Sequence, residues 1–400
     1  MRILTLNAGS SSVKARLYQF DGHDWHEEMH YHLSQLNESP RVRWQWDKQT
    51  PNTQLLSWQG MPLETRHRAA LSQIIGLITD AGLEHQLDAV CHRVVHGGRF
   101  YNAPVCIDDA VLANLETLES LAPLHQPYNL NLVRLAREQL PDIRQIACFD
   151  TMFHAEQPRM AQLHAIPRRY LDQGILRYGF HGLSYEYVFE RLQSLAPRQA
   201  DGRVIICHLG AGASMCAIRQ GQSYDTTMGF TALEGLPMGT RCGHIDPGVL
   251  IHLMREEGWS PDQLERFLYK ECGWLGLSGI SSDMQELHDA DTPEAEEAIA
   301  YFVHACVQQI GSLMATMRGL DAIVFTAGVG ENDARIRARV LDSIQWLGVD
   351  WDAAANEQNR QSLHKPTSKI GVWVIPTNEE LMLAEHGRRL LSSGSVSPLR

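Results

Sequence analysis

None of the eight cysteines pairs with another at Cys-x-x-Cys spacing, and positions 91, 106, 148, 207, 216, 242, 272 and 306 fall mostly inside apolar runs. That excludes a disulfide framework and reads as buried thiols in a reducing compartment. Long hydrophobic runs are missing too. The most apolar stretch, VIICHLGAGASMCAI, carries a histidine and three glycine or serine breaks, short of the roughly 20 residues a bilayer requires. The first residues enter a strand pattern with no charged leader and apolar core, so no secretory signal is read and a cytoplasmic location without a membrane partner is expected. Positive charge is scarce: 35 Lys and Arg against 47 Asp and Glu leave a net charge of -12. That excludes a nonspecific nucleic-acid or anionic-lipid surface, so any anion must be held by a local cluster.

What is present is a chain of 400 residues, 44% hydrophobic, long enough for two cores, since single cores stop growing at roughly 250 to 300 residues. It opens LTLNAGSSSVKARLY, where Leu4 and Leu6 lead into a bend and Val13, Ala15 and Leu17 alternate with polar residues on the way out. The bend, Asn7 to Ser12, holds more hydroxyls than a hairpin needs. Small residues let backbone N–H groups approach an anion, and Lys14 supplies charge. A second segment, IICHLGAGASMCAIRQG, repeats the shape, with Cys207-His208-Leu209-Gly210 lying over Leu6-Asn7-Ala8-Gly9. A duplicated strand, bend and strand predicts two related halves facing one cleft.

Between and after the hairpins, strand and helix patterns alternate, as in α/β folds. DAVCHRVVHGG and RQIACFDTMFH each read as a strand, with a helix in NLNLVRLAREQL between them. Thr292 and Pro293 read as N-cap and first helical position, and Ile299, Phe302, Val303, Cys306, Ile310 and Leu313 form one apolar stripe. DAIVFTAGVGENDARIR predicts a strand over Ile323 to Thr326, a glycine bend and a polar helix start suited to an anion, ribose or base; it is neither GxGxxG nor a Walker sequence. MQELHDADTPEAEEA, the most charged stretch, reads as a solvated loop and helix face.

Phosphoryl transfer needs cations and donors around three equatorial oxygens, an in-line acceptor and usually a magnesium ion held by carboxylates. Arg93, His125, Asp150, His181 and Arg241 stand at strand ends or in turns bounded by Gly or Pro, where such groups converge. His92 and His96, four apart in HRVVH, raise a zinc alternative, but Val-Val and Gly-Gly favour a strand and the glutamate of HExxH is missing.

The motifs NAGSSS, HRVVHGG, FDTMFH, YGFHGLSY, MGFTALEGLPMGTR and GVGEN follow one another in the order of the acetate kinase family, which the chain resembles from NAGSSSVK to PTNEELMLAEHGRRL. The resemblance implies an α/β, two-domain actin-like ATPase fold (ribonuclease H-like, duplicated) with the nucleotide cleft between domains. Residues 1–150 plus about 377–400 would form the first domain, and 151–376 the nucleotide-binding one. It implies reversible transfer of the γ-phosphoryl of ATP to acetate, giving acetyl phosphate and ADP, with Mg2+ (or Mn2+) as cofactor and a homodimer as assembly. Asn7 and Glu379 match the residues that place the metal; Ser10, Ser12 and Lys14 match the phosphate hairpin. His208, Leu209, Gly210, Ala211 and Gly212, then Asp283, Met284 and Gln285, then Gly328, Val329, Gly330, Glu331 and Asn332, match nucleotide-contacting segments. Arg93 matches the receptor of the acetate carboxylate, Asp150 the catalytic carboxylate, and His181 and Arg241 the groups steadying the phosphoryl. Val95, Leu124, Phe180 and Ala232 match the apolar pocket for the acyl methyl, and His125 is placed with that substrate site.

The chain departs from the family pattern at Ala211, where asparagine is usual, at Gln285 (arginine), at His244 (aspartate) and at Ala232 (proline). The first three bear on the phosphoryl donor. The last opens the acyl pocket toward propionate, since one methylene discriminates by only about 1 to 3 kcal/mol. Alternatives are therefore a propionate or other short-chain acyl kinase, a donor other than ATP, and an actin-like nucleotide switch. Against the switch stand Arg93 and the apolar pocket, because a switch needs no carboxylate receptor.

Overall fold

A computed structural model of the chain describes residues 1–393 apart from Ser10, Asn37, Glu38, Lys48, Gln59 and Leu124. The predicted roles of Ser10 and Leu124 lie outside the described residues. The chain divides into two compact units, Met1–Met152 with Asn378–Arg400, and Phe153–Thr377.

The first unit holds strands β1 (Arg2–Ala8), β2 (Val13–Phe20), β3 (Trp25–Ser34), β4 (Arg41–Trp46), β5 (Asn52–Leu55), β6 (Ala89–Val94), β7 (Val105–Cys106) and β8 (Arg144–Phe149). They form one sheet in the order β5-β4-β3-β2-β1-β6-β8-β7. β1 and β2 make the predicted hairpin, in register at Leu6 with Ala15 and Asn7 with Lys14, and the bend is closed by Gly9 N–H donating to Ser12 C=O at 2.9 Å. Leu4, Leu6, Val13, Ala15 and Leu17 are buried with Leu71 and Ile74 of the helix Leu63–Asp80.

The second unit holds β9 (Arg203–Leu209), β10 (Ala213–Arg219), β11 (Gln222–Thr226), β12 (Ala322–Thr326) and β13 (Gly371–Val374), in the order β11-β10-β9-β12-β13. The order β3-β2-β1-β6-β8 of the first sheet is the same arrangement. In each, an antiparallel hairpin supplies the central strand and two parallel strands follow on its other side. The bends differ by one residue, Gly210 N–H donating to the carbonyl two residues on, Gly212 C=O at 3.1 Å, where Gly9 reaches three residues on. The architecture is thus a duplicated α/β sheet.

The helix Pro293–Met317 starts as its sequence predicts, Thr292 Oγ1 accepting from Ala295 N–H and Pro293 at the first position. Its apolar side, including Ile299, Phe302, Cys306, Ile310 and Leu313, is buried, and the helix packs on β9 to β11. The same helix is long and apolar enough to span a bilayer by length and composition, which burial of this face against a sheet accounts for. Two readings are corrected in part. The acids of MQELHDADTPEAEEA do lie on a solvated helix face, but little of the stretch is loop: it forms the helix Met284–Ala290 and the start of Pro293–Met317, and Met284, Leu287, Ala295 and Ala298 are buried. The glycine bend after β12 is itself a short helix, Ala327–Asn332, entered through Ala327 in the left-handed region at φ 66°. Arg93 stands one residue short of the end of β6.

Candidate active site

In the first unit the site grows from β6, β8 and the helix Glu379–Ser392. That helix packs on β1 and β6, and Gly387 is required there, since a Cβ would stand 2.4 Å from Cys91 Sγ. Asn378 caps it, accepting from Leu381 N–H at 3.0 Å, which fixes Glu379 beside Arg93. The Asp150 carboxylate accepts from Arg93 Nε at 2.9 Å and from Nη2 at 2.6 Å, and Glu379 Oε2 stands 3.1 Å from Arg93 Nη1. Burial pulls the Arg93 pKa down, but the charges of Asp150 and Glu379 outweigh it and hold the guanidinium above its ordinary value. Burial raises the Glu379 pKa, against Arg93 and Lys14 and with Asp150 and Glu380 adding to the rise. Two carboxylates, with Glu380 near, thus share one guanidinium.

The ends of β1 and β6 are tied by the helix Gln126–Gln139. Asn129 Oδ1 accepts from Val95 N–H at 3.0 Å and its amide donates to Ala8 C=O at 2.6 Å. Gln126 exchanges hydrogen bonds with both backbone groups of His96 at 3.1 Å. His125 is the cap residue of this helix, Val95 is buried, and Lys14 is exposed on β2 opposite Asn7. Ser12 is half-buried at the bend. His92 and His96 form no zinc site: His92 Nε2 meets Gln145 Oε1 at 2.8 Å and His96 Nδ1 accepts from Gly98 N–H at 2.8 Å. Among the described residues no group of three or more His, Cys, Asp and Glu could hold a metal ion.

In the second unit the site is built around β9, β10 and the loop to Arg241. His181, in the left-handed region at φ 57°, begins the helix Gly182–Leu195. Its Nδ1 meets Ser214 Oγ at 2.8 Å, and the same hydroxyl bonds Tyr185. A Cβ at Gly212 would lie 3.5 Å from His181 Nε2 and 3.9 Å from Arg241 Nη1. Histidine and arginine therefore flank one glycine of the hairpin bend. Arg241 Nη1 donates to Ala232 C=O at 3.1 Å, and Ala211 C=O accepts from Gly239 N–H at 3.2 Å, which ties bend and loop. Burial lowers the Arg241 pKa, and among the described residues no carboxylate pairs with it. Phe180 is buried, its carbonyl 2.9 Å from His154 Nε2.

A cavity of about 310 Å³ is lined by Gly210 and Ala211, by Asp283, Met284 and Gln285, and by Gly328, Val329 and Asn332. Asp283 caps the helix Met284–Ala290, accepting from Gln285 and Glu286 N–H, and Gln285 donates to Asp289 at 2.9 Å. Glu331 turns to the backbone, accepting from Ala327 N–H at 2.7 Å and Thr377 N–H at 3.1 Å. Trp274, Ser282 and Asp333 also line this cavity. They were not singled out from sequence, nor were Asn129, Gln126, Ser214, Tyr185 and Arg337. The buried Arg337 donates to the carbonyls of Gly330 and Glu331.

Residues 2–385 match the family described as the Acetokinase family. The chain belongs to the acetokinase family. An acetate kinase of Nitrobacter hamburgensis is 46% identical over 401 residues, covering 100% of this chain and 98% of that protein. Among solved structures, Porphyromonas gingivalis acetate kinase is similar at TM-score 0.87 and 35% identity, covering 98% of this chain and 99% of that one. A propionate kinase from Francisella tularensis is similar at TM-score 0.89 and 32% identity, covering 96% and 98%. The duplicated sheets of the chain are those of the two-domain actin-like ATPase fold, and the family makes it a phosphotransferase with ATP and ADP as co-substrates.

Proposed function

We propose that the chain reversibly transfers the terminal phosphoryl group of ATP to acetate, giving acetyl phosphate and ADP. A carboxylate oxygen attacks the γ-phosphorus in line while the bond to the β–γ bridging oxygen breaks, and ADP leaves with that electron pair. Two anions must meet, so positive charge is needed on both sides of the reaction. The observation that carries the reading is the contrast between the arginines. Arg93 is held in a fixed plane by Asp150, as a receptor for a planar carboxylate requires. Arg241, with burial lowering its pKa and no carboxylate partner among the described residues, offers uncompensated charge to a phosphoryl group beside His181.

Acetate is already ionised at neutral pH, so Asp150 orients Arg93 rather than removing a proton. His181, held at Nδ1 by Ser214, presents its other edge to the Gly212 bend. The excess of carboxylate over guanidinium around Glu379 fits a divalent cation, which Asn7 and Glu379 would hold; magnesium there supplies positive charge to the terminal phosphates. The cavity on Gly210, Asp283 and Gly328 takes the nucleotide. All eight cysteines are free, which supports a reducing, cytoplasmic setting.

Hydroxamate trapping of acyl phosphate, with acetate, propionate and butyrate against ATP, GTP and pyrophosphate, tests the reading. Acetyl hydroxamate formed with ATP is expected. Nucleotide turnover that ignores every added acid would overturn it. Propionate used as well as acetate would assign the small Ala232 side chain a role in acyl choice.

A further inference from the structure

Arg93 has five N–H donors arranged around one plane. Asp150 takes Nε and Nη2, so the edge that remains for a second carboxylate is the one carrying Nη1. Glu379 already stands on that edge, with Oε2 3.1 Å from Nη1 as an ion pair rather than an aligned hydrogen bond. The contact is built in, because Glu379 is the first residue of a capped helix packed against the strand that carries Arg93. An incoming acyl carboxylate and Glu379 cannot both approach Nη1 closely, since like charges a few ångströms apart in a half-buried site repel strongly.

We propose that Glu379 is a latch on the acyl-binding edge of Arg93. Guanidinium and divalent cation compete for its carboxylate, and drawing Glu379 toward the cation uncovers Nη1 for the substrate. The inference rests on the acyl-kinase reading above and adds an order to it. Carboxylate binding and cation binding favour one another through a single side chain, and an acid entering before the cation finds its receptor covered. Lys14, whose charge also reaches Glu379, acts on the same carboxylate from the hairpin side.

Acetate binding, followed by NMR line broadening of labelled acetate on the full chain, tests this without turnover. In wild-type protein, acetate affinity should rise about tenfold when magnesium chloride replaces EDTA, within the roughly 5- to 150-fold range of ordinary coupling between sites. Reciprocity requires acetate to tighten magnesium by the same factor. In Glu379→Gln, acetate should bind in EDTA about as tightly as it binds wild type in magnesium, and magnesium should then change little. An unchanged wild-type affinity on adding magnesium overturns the latch, and so does a folded Glu379→Gln protein that binds acetate no better in EDTA. Arg93→Gln separates this from failure of the reading beneath it. If that variant binds acetate as wild type does, the receptor is elsewhere and both fall; if it loses acetate while wild type shows no magnesium effect, only the latch falls.

Discussion

The imidazole of His181 lies over that of His208, with ring centroids 4.1 Å apart and planes 15° from parallel. Each ring is held by a serine at 2.8 Å, His181 by Ser214 of β10 and His208 by Ser184 of the helix that His181 begins. Strand, helix start and hairpin bend are thereby fixed to one another, and the side chain expected to meet the phosphoryl group is aimed by Ser214 and by the ring it stacks on. Such preorganisation of donors is where phosphotransferases gain most of their rate.

Ser214→Ala tests that support. Its hydroxyl serves both His181 and the buried Tyr185, so the variant leaves a buried phenol without this partner, at about 1 to 3 kcal/mol of stability. The kcat for acyl-phosphate formation should fall several-fold with the KM for acetate little changed. Urea unfolding and steady-state kinetics read the two effects separately.

Arg241→Ala should lower kcat by two or more orders of magnitude, the size of loss seen when one transition-state donor is removed. Arg241→Lys should recover little of it, because an ammonium keeps the charge but not the planar fork. Circular dichroism melting should show both variants folded, the lost contacts being a single carbonyl at Ala232 and the thioether of Met238. Near-normal turnover in the alanine variant would remove Arg241 from the mechanism.

The sequence carried its strongest signal where one local pattern decides the outcome. The hairpin over Leu4 to Leu17 follows from alternation, and the helix from Pro293 from its cap and stripe, because each is settled within a few residues. Partners distant in sequence were not legible. Ser214 meets His181 across 33 positions, Asn129 meets Ala8 across 121, and nothing in either neighbourhood announces the other. Arg337 reads as part of a polar helix start, yet it is fully buried, because the carbonyls it satisfies belong to the preceding short helix and to Asn356. The charged stretch from Met284 reads as solvated because its acids line the outer faces of two helices; the apolar faces turned inside are what its composition hides. Composition averages over faces that only packing distinguishes.

Stability should fall as pH drops from about 6.5 toward 4. Burial lowers the pKa of His92 to about 4, with Gln145 opposing it, and burial lowers that of His96 to about 4 as well. Between these values and the ordinary 6.5 the unfolded chain binds more protons than the folded one, so stability rises with pH across that window. It is fully present above about pH 6.5 and lost as pH falls through 4. Each histidine contributes on the order of 3 kcal/mol. Urea midpoints at several pH values measure the slope, which His92→Leu should flatten while lowering the plateau, since the buried Gln145 Oε1 loses the imidazole it meets.

Arg337 offers a test of the nucleotide cavity from outside it. Its guanidinium donates to the carbonyls of Gly330 at 3.0 Å and Glu331 at 2.9 Å, and reaches Asn356 Oδ1 at 2.7 Å and its carbonyl at 2.9 Å. Burial lowers its pKa. Replacing it by methionine keeps the bulk but strips these acceptors of a charged donor, so stability should drop by about 3 kcal/mol or more. The loosened segment is the one whose Gly328 and Val329 line the cavity, so the KM for ATP should rise several-fold while that for acetate holds. Kinetics with each substrate varied in turn, on protein kept well below its melting point, separate the two. An equal rise in both KM values would mean that Arg337 supports the fold as a whole rather than this wall of the site.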